Sequence, residues 1–171
     1  MRSLSEFIVE PLNGKISTPK SKEGFTMSSS IEDHRVSNRV AIIKSVPLGY
    51  NGPIEVGDSA IVHHNVFRKY NDVKGREKFS HSMIRSTVYR ADLLQVFAFN
   101  RNGSGWESVY PYLFFSTDNK HFGKILISSP ESRSQGFSEG EKFYYKPGSE
   151  YEFRIDDVSM YRVPQKNICF R

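Results

Sequence analysis

Two adjacent histidines, His63 and His64, lie in the run EVGDSAIVHHNVF (55–67), just after a Gly-Asp pair. Imidazoles bind metal ions and move protons near neutral pH, so a histidine pair in an apolar setting is a candidate metal or acid–base site. A zinc ion, however, takes three or four converging ligands. The run reads as a strand, and neighbouring strand residues point to opposite faces. His34, His81 and His121 fall on segments read as loops. His63 and His64 are therefore read as structural, and neither a metal nor a cofactor is expected.

Other catalytic patterns are incomplete. STPK (17–20) has the Ser-x-x-Lys spacing of some acyl-transfer enzymes, but that chemistry needs both groups on one helical turn, and Pro19 stands between them. NGSGW (102–106) is glycine-rich but lacks the lysine of a phosphate cradle, and it reads as a hairpin turn. Asp156 and Asp157 have no partner acid in an evident cleft. No catalytic residues are assigned, and the chain is not expected to be an enzyme.

The elements that must position these residues are short strands. FIVEPL, RVAIIKSV, SAIVHHNVF, DLLQVFAF, YLFFS, GKILIS, EKFYYKP, YEFRI and KNICF are rich in Val, Ile, Phe and Tyr, with turn residues between them, and no long stretch holds a helical period. An all-β fold is expected. Aromatic residues form 13% and charged residues 25% of the 171, which supports a packed core and not a disordered chain. The single Cys169 leaves no internal disulfide and no Cys-based zinc cage. No apolar run approaches the roughly 18 residues of a membrane helix, and MRSLSEFIVEPL lacks a signal peptide's apolar core, so a soluble, unsecreted protein is expected. The stretches 13–35 and 131–138 read as loops, the first long for an ordinary connection.

The chain also looks duplicated. RVAIIKSVP (39–47) lies over FGKILISSP (122–130) at a separation of 83, and the same separation lays EVGDSAIVHHN (55–65) over SEGEKFYYKPG (138–148). Gly57-Asp58 then meets Gly140-Glu141, a Gly-acid turn opening the next strand in both copies. VYRADLLQVFAF (88–99) pairs with MYRVPQKNICF (160–170) at 72, through Tyr89-Arg90 and Tyr161-Arg162, and EFIVEP pairs with YLFFST (112–117) at 106. The changing separation gives the first copy about 23 extra residues near 13–35 and about 11 near 68–86.

A strand, a loop, a second strand, the apolar-x-Gly-Asp turn of EVGDSAIVHHN and a closing apolar strand together resemble the GroES-like co-chaperonin family. The likeness is strongest in NRVAIIKSVPLGYNGPIEVGDSAIVHHNVF and KPGSEYEFRIDDVSMYRV, which are similar to co-chaperonin-like proteins of bacteriophages. The resemblance implies two tandem small GroES-like β-barrels, 1–109 and 110–171, where ordinary members have one. It also implies a mobile loop after the first strand that offers a short apolar segment to a chaperonin. The 13–35 stretch takes that position, with Gly24, Phe25, Thr26 and Met27 as the binding segment. Phe25 and Met27 would be its anchors, and Thr26 departs from the family's apolar pattern.

The second insertion, read as a long hairpin over 66–87, carries the chain's charge. Between His63 and Arg90, the basic Arg68, Lys69, Lys74, Arg76, Lys78, Arg85 and Arg90 face only Asp72 and Glu77, a net +5 that equals the whole chain's. Such a hairpin clamps an acidic protein surface or phosphates, or else is a solvated face. Two functions follow. One is a non-catalytic co-chaperonin-like protein that binds a host chaperonin, or assembles as an oligomeric cap, in the cytoplasm of a bacterial host cell. The other is a bacteriophage virion structural protein (capsid cement, connector or tail component) built on the same tandem barrels and gripping capsid or tail proteins. A homo-oligomer is expected in either case, nucleic acid is the less favoured partner, and no membrane is involved.

Overall fold

The computed structural model describes residues 3–14, 21–22, 25–26, 37, 39–117, 121–155 and 158–170. The chain divides into two compact units, Met1–Val96 and Phe97–Arg171. The strands run β1 (Phe7–Pro11), β2 (Ser21–Lys22), β3 (Phe25–Thr26), β4 (Val40–Ser45), β5 (Ser59–Val62), β6 (Lys69–Asn71), β7 (Glu77–Phe79), β8 (Met83–Arg85) and β9 (Val88–Ala91). They continue as β10 (Val96–Asn100), β11 (Glu107–Ser108), β12 (Tyr112–Ser116), β13 (Phe122–Ile127), β14 (Lys142–Tyr145), β15 (Tyr151–Ile155), β16 (Val158–Pro164) and β17 (Ile168–Phe170). A short helix, α1 (Pro130–Ser134), and three 3-10 turns complete the described residues. The fold is all-β and antiparallel, and none of its sheets closes on itself.

The two units share one strand order. In the first it is β5-β4-β1-β9-β8, and in the second β14-β13-β12-β16-β15, with β17 flanking β14. The likeness extends to single hydrogen bonds. Gly57 N–H donates to Ile43 O at 2.8 Å and Ile43 N–H to Asp58 O at 2.9 Å; Gly140 donates to Ile125 O at 2.8 Å and Ile125 to Glu141 O at 2.9 Å. Both glycines have left-handed φ, +97° and +89°, a conformation that costs a side-chain-bearing residue free energy. His63 N–H donates to Gln95 O at 2.8 Å, as Lys146 N–H does to Asn167 O at 2.9 Å. β1 pairs β9 as Val9↔Tyr89 and Ile8↔Arg90, and β12 pairs β16 as Phe115↔Tyr161 and Phe114↔Arg162.

One register differs from the sequence reading. Strand β4 corresponds to β13 through Ile43 and Ile125, a separation of 82, while Gly57 and Gly140 keep 83. Pro47 therefore does not fall on Pro130. The connection that contains α1 is one residue longer than its counterpart and absorbs the slip. Helix α1 also corrects the loop expected over 131–138. Ser129 caps it by accepting from Ser132 N–H at 3.1 Å, and Pro130 supplies a first helical residue with no N–H to satisfy. Beside it the Glu139 carboxylate accepts from Ser128 N–H at 3.2 Å, Ser128 Oγ at 2.8 Å and Arg133 Nη1 at 3.2 Å. Burial pushes Glu139 up, but the Ser128 hydrogen bonds and the Arg133 charge outweigh it and hold the carboxyl below its ordinary value. The expected strand DLLQVFAF likewise begins with a 3-10 turn, where Gln95 Oε1 accepts from Asp92 N–H at 3.0 Å.

The core follows the period-2 pattern. Leu113, Phe115, Ile125, Phe143, Tyr145 and Val163 pack together in the second unit, and their counterparts Phe7, Val9, Ile43, Ala60, Val62 and Ala91 are all fully buried. The two copies fill one cross-strand position with different volumes. Ala41 and Ala60 face each other across β4 and β5, whereas Gly123 faces Phe143 across β13 and β14. Burial pushes the Tyr89 and Tyr145 hydroxyls above the ordinary tyrosine pKa.

Candidate functional site

The basic insertion forms a hairpin shorter than the one expected over 66–87: only Lys69–Phe79 belongs to it, because Met83–Arg85 pairs with Val88–Ala91 instead. Strands β6 and β7 pair as Lys69↔Phe79, Tyr70↔Lys78 and Asn71↔Glu77. Asp72 builds the tip: its Oδ1 accepts the N–H groups of Lys74 at 2.8 Å and Arg76 at 2.9 Å, and Gly75 N–H donates to Asp72 O at 2.9 Å. Ser80 clamps the base, its Oγ donating to Val66 O at 2.8 Å. Lys69 pairs with Glu77 at 2.6 Å and Arg90 with Glu6 at 3.8 Å, while the Arg68 guanidinium lies 5.2 Å from the Tyr70 ring centre. Lys74, Arg76, Lys78 and Arg85 are exposed, with no carboxylate at ion-pair distance among the described residues. At the tip, Val73 stands fully exposed beside Lys74. The tip therefore presents one exposed apolar side chain in a segment that also exposes Lys74, Arg76 and Lys78.

Beside this hairpin lies a cleft of about 380 Å³ lined by Ser3, Glu6, Ile8, His81, Met83, Ile84 and Arg90. Arg90 Nη2 donates to His81 O at 3.3 Å, which fixes one wall. Ile8, Met83 and Ile84 offer apolar surface and Glu6 and Arg90 an ion pair, a combination that can hold a side chain. The repeated Tyr-Arg dipeptide serves differently in the second unit. There the Arg162 guanidinium sits 4.0 Å from the Phe97 ring centre, 4.5 Å from Tyr112 and 5.2 Å from Tyr151. Tyr112 occupies the place that Glu6 holds in the first copy, so a cation–π contact replaces an ion pair.

The histidine pair is arranged otherwise than its strand reading implied. Strand β5 ends at Val62, so His63 and His64 open a turn, with ring centres 4.3 Å apart and planes 31° apart. Nδ1 of His63 accepts Asn65 N–H at 3.2 Å, which makes it a turn cap. Among the described residues no three His, Cys, Asp or Glu side chains gather as a metal cluster. Of the segment 24–27, expected to bind a chaperonin, Phe25 and Thr26 pair with Lys22 and Ser21, whereas Gly24 and Met27 lie outside the described residues. His34, the STPK motif before its Lys20 and that lysine itself, and the Asp156-Asp157 pair also lie outside them. NGSGW is a turn between β10 and β11, which pair as Ala98↔Ser108 and Phe99↔Glu107.

A second surface was not picked out from the sequence. On the outer face of the second unit's sheet, cross-strand pairing places Phe122 opposite Tyr144 and Tyr144 opposite Phe170. The Tyr144 and Phe170 rings stack at 4.7 Å with planes 4° apart, His121 stacks on Tyr144 at 5.6 Å and 10°, and Phe122 meets Tyr144 edge-on at 5.1 Å. One pleat further along, Lys124 stands directly opposite Lys142. The signal that could have found this face is the alternation of Phe122, Lys124 and Leu126 with Gly123 and Ile125.

No known protein family and no curated protein matches this chain. No helix among the described residues is long and apolar enough to cross a membrane.

Proposed function

We propose that the chain is a non-catalytic, GroES-like co-chaperonin-type protein, made of two tandem copies of one small β-barrel-like unit, that binds a chaperonin or assembles into an oligomeric cap through its loops. The observation that carries this reading is the shared strand order and hydrogen-bond register of the two units, with the long insertions confined to two strand connections of the first. A module that keeps its sheet and elaborates two loops concentrates recognition in those loops. Gly24, Phe25, Thr26 and Met27 are its chaperonin-binding segment, and its place of action is the cytoplasm of a bacterial host.

One observation favours a second reading, a bacteriophage virion structural protein. The hairpin tip is braced by Asp72 and presents Val73 in a segment that also exposes Lys74, Arg76 and Lys78, the form of a prong that seats in an acidic neighbouring subunit. Native mass measurement with and without a bacterial chaperonin separates the two. In the co-chaperonin reading the wild type adds to the chaperonin, the Phe25→Ser, Met27→Ser variant does not, and Lys74→Glu, Arg76→Glu, Lys78→Glu binds normally. No complex with the chaperonin, together with loss of particle incorporation in the triple variant, assigns the virion role instead.

A further inference from the structure

We propose that the outer sheet face of the second unit is a binding surface for single-stranded nucleic acid, distinct from the loops invoked above. Three features of the face point to this ligand together. First, His121, Tyr144 and Phe170 form a stack of nearly parallel planes, and Phe170, the outermost ring among the described residues, is 59% exposed. A base continues such a stack, because every base presents a flat π-face, and stacking of this kind tolerates any sequence.

Second, Lys124 and Lys142 are directly opposed across β13 and β14. Like charges at that position repel and weaken the sheet. Neither lysine has a carboxylate at ion-pair distance among the described residues, and β13, β14 and β17 contain no Asp or Glu at all. An anion bridging the two ammonium groups turns this repulsion into attraction. Third, the lysine pair lies two residues along the strands from the Phe122–Tyr144 pair, about 7 Å away, within the reach between a base and its own backbone phosphate. A row of rings beside a row of cations, held in register by backbone hydrogen bonds, is the arrangement that tracks an unpaired strand. A duplex hides its base faces and cannot use the ring row.

The test is fluorescence anisotropy with a labelled 20-nucleotide oligo-dT, and with a duplex of the same length, at several salt concentrations. The wild type should bind oligo-dT more tightly than the duplex. Phe170→Ala should weaken oligo-dT binding by about tenfold. Lys124→Gln with Lys142→Gln should weaken it and flatten the salt dependence by about 0.7 in logarithmic slope per lysine. All three side chains are exposed, and circular dichroism checks that the variants keep the wild-type fold. Equal binding of duplex, or binding that survives these changes but falls with Lys74→Glu, Arg76→Glu, Lys78→Glu, would move the ligand to the hairpin and overturn the proposal. No oligo-dT binding at low salt would also overturn it. If the same variants then abolish wild-type self-association, the face belongs to a second copy of the chain.

Discussion

Replacing Gly123 by alanine should destabilise the second unit, although the equivalent residue in the first unit is already alanine. A Cβ at Gly123 would run into Cδ2 of Phe115 and come within 2.9 Å of Cε1 and Cζ of Phe143. Both phenyl rings are buried and pack edge-to-face at 5.1 Å, so neither has room to swing aside. Overpacking of this kind costs about 1–3 kcal/mol. Against it stands the loss of backbone freedom in the unfolded chain, which favours alanine by up to about 1 kcal/mol. The net expectation is a loss of about 1–2 kcal/mol. Phe143→Ala alone should cost about 3–5 kcal/mol, through lost burial and the cavity it leaves. In that background the Phe143 contacts are gone and the Phe115 ring, the nearer obstacle, can shift into the cavity left behind, so Gly123→Ala should become stabilising. The coupling energy in the double-mutant cycle should reach about 1.5–3 kcal/mol. Urea denaturation followed by the fluorescence of Trp106, the chain's single tryptophan, reads the second unit directly. A higher urea midpoint for Gly123→Ala, or a coupling below about 0.5 kcal/mol, would show that the ring contacts do not make glycine necessary there.

Two smaller perturbations test local devices. Asp72→Ala removes the acceptor of two backbone N–H groups, so hydrogen exchange at the Lys74 and Arg76 amides should accelerate while amides of β4 stay protected; unchanged exchange at the tip would refute the role given to Asp72. Glu139 has its pKa lowered in the folded chain, so its contribution is present at neutral pH and is lost as pH falls through the folded value. Glu139→Gln should therefore lower stability at pH 7 and flatten the fall in stability on acidification, measured as urea midpoints between pH 7 and pH 3. A variant with the wild-type acid slope would show that the Ser128 and Arg133 contacts do not stabilise the charged form.

The amino-acid sequence by itself determined the strand composition and the internal correspondence. Alternating apolar residues, the Gly-acid turns at Gly57 and Gly140 and the Tyr-Arg pairs at Tyr89 and Tyr161 are local signals, and a local signal survives in a linear chain. A hairpin within 66–87 was legible for the same reason, whereas its ends at Lys69 and Phe79 and the hold of Asp72 on its tip depend on backbone pairing. Tertiary structure decided the rest. The one-residue slip between β4 and β13 depends on the length of a connection that folds into α1, a helix of five residues, too short to show a period. The side-by-side placement of His63 and His64 depends on where β5 stops pairing, which no neighbouring residue dictates. The ring row of Phe122, Tyr144 and Phe170 is the clearest case. Its members come from three strands far apart in the chain and meet only because β14 pairs with β13 on one side and β17 on the other. Hydrogen-bond register between distant strands is a property of the folded sheet, so a surface made by that register exists only once the sheet has formed.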